Sequence, residues 1–135
     1  MVTLRRLAST LAVCAALMVG PHAATTTNDA ELQLQLASLL FDETRFTEAL
    51  QAYRNAIDAP DTDLALRARM GFVRTALRIG QFQDAQHEAA SLKTTAPRNP
   101  EALSTYADAI WSAGLFDEAE AVSYTHLTLP TICSV

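Results

Sequence analysis

Cysteine is almost missing from this chain: of 135 residues only Cys14 and Cys133 carry a thiol, and none lies between them. A disulfide framework, a thiolate metal site and a cysteine nucleophile are therefore excluded from the body. Glycine and proline are scarce, at 4 and 5 residues. They form neither a phosphate-binding glycine loop nor a Gly-x-Ser-x-Gly elbow. Positive charge is in deficit, with 10 Lys+Arg against 15 Asp+Glu and a formal charge of -5, so no general attraction to nucleic acid or anionic lipid is expected. The longest apolar stretch, residues 7–19, falls short of the roughly 20 residues that a membrane-spanning helix needs. Half of the chain is hydrophobic but only 7% is aromatic, an Ala- and Leu-rich globular composition. With the unusual ends set aside, about 100 residues remain, enough for one small domain and too few for a large α/β enzyme.

Those ends read differently from the body. Residues 1–24 have the layout of a secretory signal: Arg5 and Arg6, the apolar stretch, then Gly20, Pro21 and the small pair Ala23 and Ala24. Cleavage after Ala23 or Ala24 is the expectation, with an uncleaved anchor as the alternative. Either reading takes the chain out of the cytoplasm to the periplasm or cell envelope of a bacterium, and cleavage leaves no stable membrane span. Val13 is too large for the cleavage position of a lipoprotein site at Cys14, and apolar residues continue past it. Residues 123–135, SYTHLTLPTICSV, carry no charge and are rich in β-branched residues, in contrast to the acidic, helix-forming segment before them. From Val122 onward the tail resembles translated sequencing-adapter read-through. That resemblance implies that residues 123–135 are non-native and that the natural protein continues past Ala121.

Between the ends the chain repeats itself. Residues 45–58, 80–93 and 114–123 align, each with a turn residue, an aromatic (Phe46, Phe82, Phe116), an acidic residue and then Ala49, Ala85 or Ala119. The last two alanines are 34 residues apart and the first two 36, the excess falling in the turn at Pro60, Asp61 and Thr62. Each unit reads as two helices, giving repeats at 28–61, 62–97 and 98–122, the last truncated. Asn28 is expected to cap the first helix with Glu31 three residues on, and Leu32, Leu36, Leu39 and Leu40 to form its apolar stripe. The second helix of that repeat places Phe46, Ala49, Leu50, Tyr53 and Ile57 inward. Gly80 and Gly114 suit left-handed turns. Asn99, Pro100 and Glu101 make an N-cap, a proline at the first helical position and a helix-end carboxylate. The recurring alanines let the helices of a pair approach closely, and Phe46, Phe72, Phe82 and Phe116 are assigned to the core. The sixth helix is expected to stop after about two turns.

The period, the turn residue followed by an aromatic and Ala, Tyr53 and Ala56 in the first repeat, and Pro97 closing the second resemble tetratricopeptide repeats. Thr44 replaces the turn glycine of the first unit, and Gln33, Arg69 and Leu103 stand where an early aromatic is usual. The resemblance implies an all-α, right-handed solenoid of helical hairpins, about two and a half repeats long, whose first helices line a concave peptide-binding groove. A different helical-pair solenoid or a plain helical bundle are the alternatives.

Chemistry is sparse. His87 is the one histidine of the body and has no metal-ligand spacing around it, so no metal and no cofactor is expected. The carboxylate pairs Asp42-Glu43 and Asp117-Glu118 fall at helix ends, where capping explains them. One arrangement stands out: Arg67, Arg74 and Arg78 fall within about 40° of one another on a helix, with Met70 at their border. The resemblance places that face in the groove, where basic residues grip a carboxylate. Leu34, Ser38 and Phe41 would flank it on one side, and Ser104, Asp108 and the exposed Trp111 on the other. The expected function is a non-catalytic scaffold for protein–protein interaction, binding a protein or an acidic or C-terminal peptide through Arg67, Met70, Arg74, Arg78 and Trp111. The alternative is the recruiting arm of an exported enzyme whose catalytic domain lies beyond this chain.

Overall fold

The computed structural model describes residues 27–127, which form six α-helices and no strand: α1 (Thr27–Asp42), α2 (Phe46–Ile57), α3 (Thr62–Arg78), α4 (Phe82–Thr95), α5 (Pro100–Ser112) and α6 (Phe116–Leu127). The signal-like segment and the last eight residues of the tail lie outside the described residues.

Local chemistry sets most of the boundaries. Asp61 caps α3, its Oδ1 accepting from the backbone N–H of Asp63 at 2.8 Å and of Leu64 at 3.1 Å. Asn99 does the same for α5, with Pro100 in the first turn. The three hairpin turns share one geometry. Thr44, Gly80 and Gly114 have φ of 63°, 76° and 82°, and the residue after each donates its N–H to the carbonyl five back: Arg45 to Leu40, Gln81 to Ala76 and Leu115 to Ile110. This is the Schellman closure, which needs a left-handed residue. Thr44 therefore carries the same backbone burden as the two glycines.

Each helix packs on its neighbours in sequence, and the first helices of successive units also touch, α1 on α3 and α3 on α5. Among the described residues the backbones of the second helices stay apart, although the Lys93 side chain of α4 reaches Glu118 of α6 at 3.3 Å. The first helices thus form a continuous layer and the second helices spread along its outer side, as in a stack of helical hairpins. Ala49, Ala85 and Ala119 are buried as expected, and Val73, Thr75, Leu92 and Ile110 fill the centre.

Four details differ from the sequence reading. Leu32, Leu36 and Leu39 are 63%, 42% and 56% exposed, while Ala30, Leu34, Ala37 and Leu40 are buried. The small Ala30 and Ala37 permit close approach to α2 and α3, which turns the three leucines away. Phe82 and Phe116 are exposed rather than core, because each opens its helix at the rim of a turn. Phe46 is half-buried in that position, and the Phe41 ring meets it edge-on at 5.3 Å. Asn28 lies inside the first turn of α1 rather than before it, and Glu31 accepts from Gln35 instead, at 3.1 Å. Finally, α6 runs for 12 residues to Leu127. The Ser123 hydroxyl donates to the Ala119 carbonyl at 2.9 Å along this continuation.

Candidate functional site

The layer of first helices carries a cleft of about 470 Å³ whose walls come from α1 (Leu34, Gln35, Ser38), α3 (Asp63, Leu66, Arg67, Met70, Gly71, Arg74) and the start of α5 (Asn99, Glu101), with Tyr53 of α2 also in the lining. Three repeats therefore contribute to one depression. Its floor is apolar: Leu34, Tyr53 and Met70 are all buried.

Gly71 explains why Tyr53 reaches the cleft. A Cβ on Gly71 would lie 2.2 Å from Cε1 of the Tyr53 ring, so the ring occupies the space that any other residue would fill. Burial raises the Tyr53 phenol above its ordinary pKa, with the Asp42 carboxylate acting in the same direction and the Arg74 guanidinium opposing them.

The rim is charged. Arg74 reaches across to α5, where its Nη2 donates to Glu101 Oε1 at 2.8 Å and to Thr105 Oγ1 at 3.4 Å. This pair is roughly half exposed on both sides, so it orients the guanidinium more than it stabilises the fold. Arg67 is exposed and makes no ion pair with the described residues. It is the cleft's available cation. Arg69, outside the cleft's lining, is committed to Glu88 of α4 at 3.0 Å in a half-buried pair.

Of the residues expected to form the groove, Arg67, Met70 and Arg74 line the cleft, Met70 from the floor rather than the edge. Arg78 lies outside its lining, and so does Trp111, which is exposed and packs edge-on against Phe116 at 4.7 Å. Leu34 and Ser38 are in the wall, while Phe41 turns instead to Phe46. Glu101, expected at a helix end, Tyr53, expected in the packing, and Gly71 join the lining in addition to the residues expected there. The one signal for Gly71 was a glycine inside a helix with no turn to explain it.

Nothing in the cleft resembles a nucleophile with a base. His87 stands on the far side, exposed, 3.7 Å from Glu88. Among the described residues no group of three or more His, Cys, Asp or Glu is placed to hold a metal ion. No helix among them is long and apolar enough to cross a membrane. The lining sets two guanidiniums, Arg67 and Arg74, against two carboxylates, Asp63 and Glu101, around side-chain amides and an apolar floor, and Arg67, without an ion partner among the described residues, is the group in it suited to holding a carboxylate beside an apolar group. Comparison of the chain with protein-family models, curated proteins and solved structures finds no match.

Proposed function

We propose that this chain is a non-catalytic scaffold of the tetratricopeptide type, a right-handed solenoid exported to the cell envelope, and that it binds the carboxyl-terminal or acidic segment of a protein in the cleft between α1, α3 and α5. The observation that carries the reading is the pairing of Arg67, a guanidinium with no ion partner among the described residues, with the buried apolar floor of Leu34, Tyr53 and Met70. A terminal carboxylate would meet Arg67 and Arg74, the preceding side chain would enter the floor, and Gln35 and Ser38 would meet the peptide backbone. Glu101 holds Arg74 in place until an incoming carboxylate shares it.

Arg74 is the middle residue of the arginine stripe. Its engagement with Glu101 moves the larger effect to Arg67. Binding is measured by fluorescence anisotropy with a labelled peptide ending in Leu with a free carboxylate, and with its C-terminal amide. The carboxylate peptide should bind more tightly, and Arg67→Ala should weaken it by about tenfold, as expected for one charged hydrogen bond. Arg98→Ala, outside the cleft, should leave binding unchanged. Raising the salt should narrow the gap between acid and amide, since rim charges are screened over a Debye length of ~8 Å at physiological ionic strength. Equal affinity for acid and amide, together with an unaltered Arg67→Ala variant, would exclude the reading.

A further inference from the structure

Gly71 and Tyr53 act as one unit of the cleft. The place where a Cβ of Gly71 would stand is taken by one edge of the Tyr53 ring: Cε1 lies 2.2 Å from that point, and Cζ, the carbon that carries the hydroxyl, 2.5 Å. Position 71 of α3 therefore presents a phenol that comes from α2. Its neighbours on the helix surface are the two cleft arginines. Arg67, four residues earlier, and Arg74, three residues later, fall within about 60° of Gly71, about 6 Å before it and about 4.5 Å after it along the axis. Asp63 is eight residues away from Gly71, about 12 Å along the same axis. Glu101 is engaged with Arg74, and Asp42, whose charge also acts on the phenol, lies outside the lining.

The fold itself leaves the Tyr53 hydroxyl unused. The residue is only 8% exposed, yet its hydroxyl has no hydrogen-bond partner among the described residues. Tyr106, the other buried tyrosine, donates its hydroxyl to Glu118. Every polar side-chain atom shut off from solvent among the described residues does have a partner. The Tyr53 hydroxyl must then keep a path to solvent, and the cleft is the opening that this side chain lines. We infer that the Tyr53 hydroxyl is a third donor to the ligand carboxylate, set between Arg67 and Arg74, and that it helps the cleft to tell a free C-terminus from a neutral one. This assignment rests on the carboxylate reading of the cleft. A hydrogen bond to a carboxylate is roughly twice as strong as one to a neutral carbonyl, so the same hydroxyl favours the acid over the amide.

The test uses the full chain and labelled peptides ending in Leu, as free acid and as amide. Tyr53→Phe removes one oxygen and keeps the ring against Gly71. Its circular dichroism and melting temperature should match the parent, because the hydroxyl bonds to nothing among the described residues. In anisotropy titrations Tyr53→Phe should bind the acid peptide about tenfold more weakly and the amide less than about threefold more weakly, so that the preference for the acid shrinks. A second readout follows the phenol directly. In a chain labelled with carbon-13 at the tyrosine Cζ, the NMR signal that disappears in Tyr53→Phe should shift further with the acid peptide than with the amide. An acid preference that survives intact in Tyr53→Phe, or a Tyr53 signal that responds equally to the two peptides, would overturn the inference while the role of Arg67 stands. Equal losses for acid and amide would overturn it as well, leaving Tyr53 as part of the apolar floor. Equal affinity of the parent for acid and amide would remove the carboxylate reading itself, and this assignment with it.

Discussion

Two backbone positions carry more of the architecture than their side chains suggest. Gly71 sits in the middle of α3, where glycine ordinarily costs about 1 kcal/mol against alanine. Here alanine is the worse residue, because its Cβ would overlap the ring of Tyr53, a buried group with little freedom to move. Gly71→Ala should destabilise the fold by about 1–3 kcal/mol, the usual range for overpacking, and chemical denaturation will measure it. Thr44 presents the opposite case. A β-branched residue at φ 63° is strained, while the equivalent Gly80 and Gly114 are not. Thr44→Gly should stabilise the protein by about 1 kcal/mol, read as a higher denaturation midpoint at unchanged slope. The sequence exposed the substitution of Thr for Gly through the repeat alignment, but gave no sign of the Tyr53 contact. A contact between residues 18 apart on different helices leaves no local periodicity.

At the scale of elements, α6 is held by a small polar cluster. The Tyr106 hydroxyl of α5 donates to Glu118 Oε1 at 2.5 Å, and Lys93 of α4 donates to the same oxygen at 3.3 Å. Those two hydrogen bonds, Tyr106 first, lower the Glu118 carboxyl below the ordinary glutamate pKa, while burial and the bond to Glu118 raise the Tyr106 phenol. A carboxyl depressed in the folded state adds stability above its unfolded pKa and loses that contribution as pH falls through the folded value. Melting temperature should therefore fall on acidification below the ordinary glutamate range, and Glu118→Gln should flatten that part of the profile. An unchanged acid limb in Glu118→Gln would assign the acid sensitivity to other carboxylates. The elements themselves were mostly legible beforehand, since caps at Asp61 and Asn99 and turns at Gly80 and Gly114 act within a few residues. The end of α6 was not, because the shift to β-branched residues after Val122 marked a stop that the helix passes as far as Leu127.

The described residues form a stack in which α3 packs against four other helices, whereas α6 packs against α5 and meets α4 through the Lys93–Glu118 pair. In such an array stability is the sum of unit and neighbour terms, and the ends open first. Native-state hydrogen exchange should find the slowest amides in α3, around Val73 and Ala76, and the fastest helical amides in α6. Uniform protection from α1 to α6 would mean that the six helices open as one unit.

The linear sequence determined the helices, the turns and the repeat register, because each follows from the spacing of residues within one or two turns of backbone. It also determined that the body lacks thiol chemistry. Only the tertiary structure decided which apolar residues lie inside and which charges meet. Leu36 has the helical register of Phe72 and Tyr106, yet it alone is exposed, since burial depends on whether another helix lies over the position. Arg74 and Glu101, 27 residues apart, meet because α3 and α5 pack side by side in the stack. Both outcomes arise from neighbours that no spacing within a single helix encodes.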